Sequence, residues 1–141
     1  MIADIEAVEE IKVPETTVVT RFLKNGCMSD LFEVLQKIEK SPGMYIGRPS
    51  VSDLFMFIVG YEFARSEMEI ELTEAENKFY EEFQPWLQEK LGVKSVTSWA
   101  KLIMLSCHDE KIGFESFYRL LAEFKQDIGL AGTETDLKVK V

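Results

Sequence analysis

Apolar residues recur along this chain at the three-to-four spacing of helices much more often than with the alternation of strands. The first clear helix follows Ser29 and Asp30, either of which can cap a run whose Leu31, Val34, Leu35 and Ile38 share one face, and Ser41-Pro42-Gly43 should stop it. Two prolines and two glycines then predict a loop over residues 41–50, with Tyr45 and Ile46 as apolar pegs that fasten it to the core. Ser50 or Ser52 caps a second helix over residues 53–67. Its Leu54, Phe55, Phe57, Ile58, Val59, Tyr61 and Phe63 are apolar nearly all round, which predicts the central, most buried helix. Gly60 lies inside it, where close helix packing or a ligand cavity would justify a residue that weakens helices.

Thr73-Glu74-Ala75-Glu76 fits a capping box and starts a third helix with the stripe Phe79, Phe83, Trp86, Leu87 and Leu91. Pro85 interrupts that stripe; without an amide hydrogen it predicts a kink or restart there, and Gly92 ends the element. Thr97 or Ser98 caps a fourth helix carrying Trp99, Leu102, Ile103 and Leu105. Asp109 caps a fifth, whose Ile112, Phe117, Leu120, Leu121, Phe124 and Ile128 form one stripe, with His108 as the link between the two.

The ends of the chain are patterned differently. Ile5, Val8 and Ile11 predict a short frayed helix, and the β-branched run after Pro14 an extended piece; residues 137–141 alternate and can pair as a strand with residues 17–21 or fray. The resulting expectation is a mainly α, single-domain bundle of about five helices over residues 28–128, with an extended N-terminal segment, residues 1–27, and a C-terminal tail, residues 129–141.

Composition adjusts this picture without changing it. At 141 residues and 46% hydrophobic the chain can build one core of its own. Its start lacks the basic and apolar runs of a secretory signal, and its most apolar stretch, near residues 54–61, is too short to span a bilayer, so a cytoplasmic location and no membrane partner are expected. The net charge of -9 argues against direct nucleic-acid binding, which needs clustered Lys and Arg. Between positions 62 and 82 there are eight acids against two bases, an excess suited to steering a basic partner. Glu67, Glu69, Glu71, Glu74 and Glu76 are the candidate partner-binding residues; the alternative is a solvated helix face.

Candidate chemistry is sparse. The single His lies in Cys107-His108-Asp109-Glu110, the one place for acid–base, thiol or metal chemistry, yet consecutive side chains point apart and Asp109 is needed as a cap. Cys27 and Cys107 have no metal-ligand spacing and read as buried or idle thiols. No catalytic residue, cofactor or metal site is therefore assigned, and the chain is expected not to be an enzyme. Pro42-Gly43-Met44-Tyr45-Ile46-Gly47 is similar to a stretch in the ATPase subunits of type II topoisomerases, but the Gly-rich phosphate loops that chemistry requires are absent from the sequence.

Two longer blocks carry a different resemblance. One runs from Ile38 through Ser41-Pro42-Gly43-Met44-Tyr45-Ile46-Gly47 to Ser52, Leu54 and Gly60-Tyr61. The other contains Phe83, Trp86 and Leu87, then Ser98-Trp99-Ala100, Asp109-Glu110 and Phe117-Tyr118-Arg119-Leu120-Leu121. Together they resemble a family of small, uncharacterised bacterial helical proteins associated with toxin–immunity loci. The resemblance carries over no catalytic residues. It implies an immunity-like inhibitor, and together with the acidic stretch this gives the expectation of a basic toxin domain as partner; the alternative is a small helical adaptor or regulatory subunit.

Overall fold

The computed structural model describes residues 29–94 and 97–130. The short helix and extended run expected before Ser29, Cys27, and the strand pairing of the two ends lie outside the described residues. Within them the chain is mainly α: α1 (Leu31–Lys40), α2 (Pro42–Tyr45), α3 (Val51–Glu67), α4 (Glu74–Leu91), α5 (Trp99–Cys107) and α6 (Glu110–Asp127) pack together, and no strand occurs among the described residues. Five of these match the expected helices; the sixth is a single turn in the expected loop.

Each long helix starts where a short polar side chain satisfies a free backbone amide. Asp30, Ser50, Thr73, Ser98 and Asp109 accept from the amides of Glu33, Asp53, Glu76, Lys101 and Ile112. Thr73 and Glu76 form the reciprocal capping box. Gly92 closes α4 with φ 65°, and His108 closes α5 with φ 56°, the latter an uncommon left-handed conformation for a residue with a side chain.

The core is built from aromatic rings on α4, α5 and α6. Trp99 stacks on Phe117 with centroids 4.7 Å apart, and Phe83 meets Phe117 at 5.8 Å and Phe124 at 5.3 Å, edge to face. Leu31, Phe32, Leu35 and Ile38 close one side from α1; Val51, Leu54 and Ile58 add a wall from α3. Polar ties fix the orientation: the Tyr118 hydroxyl donates to the Leu35 carbonyl at 2.7 Å, and Trp86 Nε1 donates to Asp127 Oδ2 at 2.9 Å. Gly113 fixes how closely α6 approaches α3, because a Cβ there would lie 2.7 Å from Val51 Cγ1.

Four expectations are corrected. α4 runs through Pro85 as one helix, without the restart that was one of the two outcomes expected there; Pro85 and Glu81 are both exposed, so the carbonyl left without its amide lies on the solvent side, where water can serve it. Residues 42–45 form a helical turn rather than a loop, since proline at a first helical position sacrifices no intrahelical bond. Tyr45 is not a peg: it is exposed, and only Ile46 packs against the core. The expected central helix, α3, is not the most buried one: it buries four of its 17 residues, whereas α5 buries four of nine and α6 six of 18, among them Phe114, Phe117, Leu120, Leu121 and Phe124.

Candidate protein-binding surface

The corner where α3 turns into α4 is held by a buried ion pair. Arg65 comes from the inner side of α3 and Glu76 from the first turn of α4, and both are almost wholly shielded from water. Glu76 gathers three donors: Oε1 accepts from the Arg65 guanidinium and, at 2.7 Å, from the Leu31 amide, while Oε2 accepts from the Thr73 amide at 2.7 Å. Arg65 Nη2 also donates to the Glu71 carbonyl at 3.1 Å, tying down the connecting turn. Burial pushes the Glu76 carboxyl upward, but the hydrogen bonds from Arg65, Thr73 and Leu31 outweigh it and hold the group below the usual carboxylate range. One carboxylate thus joins the starts of α1 and α4 to the end of α3. Among the described residues, Arg65 Nε and the Tyr80 hydroxyl are the buried side-chain polar atoms without a hydrogen-bond partner.

That geometry divides the five candidate acids. Glu67, Glu69, Glu71 and Glu74 are exposed around the turn, with Lys78 bonded to Glu74 at 3.2 Å. Glu69 adopts φ 55°, which helps reverse the chain. Glu76, expected on the same surface, is 0% exposed and is removed from it: its carboxylate is consumed as the partner of Arg65 and of two amides.

Beside the acids lies a feature that the sequence pattern concealed. Met56, Val59 and Phe63 are 64%, 41% and 66% exposed. At 100° per residue they fall on one line of α3, opposite the buried line of Val51, Leu54, Ile58 and Arg65. Met68, just past the helix end, is exposed as well. The apolar girdle read as the mark of a central helix therefore serves two sides, one against the core and one turned outward. The signal was available as a surplus: a helix on the wall of a small bundle needs one apolar stripe, and α3 carries two. Gly60, suspected of allowing close packing inside the fold, is exposed on this outer side, and among the described residues nothing lies within 4 Å of its would-be Cβ.

The residues weighed for chemistry do not converge. Cys107 lies half-buried with its thiol 3.4 Å from the Ser116 hydroxyl, and His108 is exposed at the end of α5. Glu110 is engaged elsewhere: its carboxylate accepts from Ser50 Oγ at 3.0 Å, from Ser52 Oγ at 2.6 Å and from the Ser52 amide at 3.0 Å. The serine donors hold it below its ordinary range, and it places a negative charge at the start of α3, where the helix dipole favours one. Asp109 is the α6 cap, as expected.

No family model matches this chain, and no curated protein or solved structure matches it. No helix of the described residues is long and apolar enough to cross a membrane.

Proposed function

We propose that this chain is a non-enzymatic protein-binding protein, immunity-like in action, which neutralises a basic toxin domain by covering it. The observation that carries the reading is the outward line Met56, Val59 and Phe63 beside exposed Glu67, Glu69, Glu71 and Glu74. Isolated apolar residues on a surface require no explanation, but three in register on one helix face, next to concentrated charge, have the composition of a docking site. The acids would speed encounter with a basic partner and select against acidic ones, and the apolar line would hold the complex once formed.

The test is capture of binding proteins from lysate of the native cell at low and high salt, followed by expression of the captured protein alone and together with this chain. A stoichiometric partner that arrests growth alone and is tolerated in co-expression supports the proposal. A captured partner that is harmless alone favours the adaptor reading. No partner at either salt refutes protein binding.

A further inference from the structure

The outward side of α3 restricts what can dock on it. From Met56 to Phe63 the apolar line is about 10 Å long at the helical rise, roughly two turns. The helix backbone is hydrogen-bonded within itself, so it offers no edge to which a strand could be added, and recognition there rests on side-chain packing. Gly60 leaves a gap in the line that no contact among the described residues explains, since a Cβ there would meet none of them and its φ is not in the positive region. Such a gap lets another backbone come close. Charge borders the line as well: Glu62 lies to one side of it, Glu67 continues it one turn past Phe63, and the one basic residue of α3, Arg65, is turned inward to Glu76.

We infer that the partner's docking element is an amphipathic helix laid along α3 over Met56, Val59, Gly60 and Phe63, apolar on its inner stripe and carrying Lys or Arg beside that stripe, toward Glu62, and at its end, toward Glu67. Two helices packed side by side bring matching lines into contact over two to three turns, and side chains of the second helix fill the space above Gly60. Those cations meet Glu62 and Glu67. A second copy of this chain fits the same line less well, because it would set these glutamates against each other. The inference rests on the protein-binding reading and names the partner surface for it.

The test uses the full chain and three synthetic helical peptides: one with a leucine stripe and lysine flanks, one with the same stripe and glutamate flanks, and one with the first composition scrambled to break the stripe. Fluorescence anisotropy should show the first binding at least about tenfold more tightly than the others, a difference of about 1.4 kcal/mol. Phe63→Asp, with an unchanged circular dichroism spectrum and thermal midpoint, and Gly60→Leu, with the fold intact and a midpoint no lower than that of the parent chain, should each abolish that preference, and Met44→Ser, at an exposed residue of α2, should leave it intact. Equal binding of the scrambled peptide, or indifference to Phe63→Asp, overturns the inference. So does light scattering that shows a dimer dispersed by Phe63→Asp, or oxidative footprinting in which Met56 is protected in the lone chain while Met44 reacts. A native partner that Phe63→Asp still captures, but that reversal of Glu67, Glu69, Glu71 and Glu74 to Lys releases, overturns this inference and leaves the protein-binding reading standing; no native partner for any form defeats both.

Discussion

Two glycines within helices should respond to alanine with opposite signs. At Gly60, in the middle of α3, a methyl group meets nothing within 4 Å and the backbone φ is not positive, so Gly60→Ala removes only the penalty glycine carries in a helix. That penalty is about 0.8–1.0 kcal/mol, part of it arising from the freedom of glycine in the unfolded chain. At Gly113 the same methyl lands 2.7 Å from Val51 Cγ1, 3.3 Å from Val51 Cβ and 3.4 Å from Met104 Sδ. Val51 is wholly buried, and its branched side chain has few alternative rotamers, so the conflict is relieved only by moving α6 away from α3. Overpacking of this kind costs about 1–3 kcal/mol, which exceeds the helix-propensity gain and leaves a net loss of up to about 2 kcal/mol. Urea denaturation followed by tryptophan fluorescence measures both. Gly60→Ala should raise the midpoint with an unchanged slope, and the thermal midpoint by about 3–5 °C; Gly113→Ala should lower both, and Val51→Ala in the same chain should recover part of the loss. Midpoints that shift in the same direction for the two substitutions would refute the account of both sites.

Glu76→Gln should destabilise by about 3–5 kcal/mol, because it leaves the Arg65 charge buried without its counter-ion; a loss below about 1 kcal/mol in urea would contradict the lock. Since the Glu76 carboxyl titrates lower in the folded chain than in the unfolded one, its contribution is complete above about pH 4.3 and disappears as pH falls through the lowered folded value, so Glu76→Gln should flatten the acid limb of a stability–pH curve. Glu110→Ala should cost about 1 kcal/mol by exposing the start of α3, and denaturation should show it without loss of helix content elsewhere. Reversing Glu67, Glu69, Glu71 and Glu74 to Lys should leave folding intact and weaken capture of the partner by tenfold or more; unchanged capture would sink the electrostatic part of the proposal.

The helices were legible because their ends are chemically marked. Asp30, Thr73, Ser98 and Asp109 stand out by residue type and by the apolar periodicity that begins just after each of them, and each caps as read. Residues whose role depends on the far side of a helix were not legible. Pro85 forecast a kink or a restart, but whether the helix restarts depends on which side the orphaned carbonyl faces, and Glu81 and Pro85 lie on the exposed side. Glu76 looked like one acid among eight; its burial is decided by Arg65, across the α3–α4 turn, and by the Leu31 amide far back in the chain. Gly113 gave no warning at all, since nothing local distinguishes a glycine under a valine from one facing solvent. For the proposed binding surface, charge density drew attention to the exposed acids, whereas the apolar line was hidden because an all-round apolar helix was expected to be surrounded.

A helix that presents one oily flank to the core and another to solvent makes salt act on this molecule in two opposed ways. Lone copies, each with a formal charge of -9, repel one another over a screening distance of roughly 8 Å at physiological ionic strength and roughly 3 Å at 1 M. Concentrated brine therefore removes the colloidal guard that keeps the Phe63 flanks of free copies apart, and the same brine loosens a charge-steered heterocomplex. A stock of the free chain should scatter more light as sodium chloride is added, while its complex, with that flank covered, should come apart before it clouds.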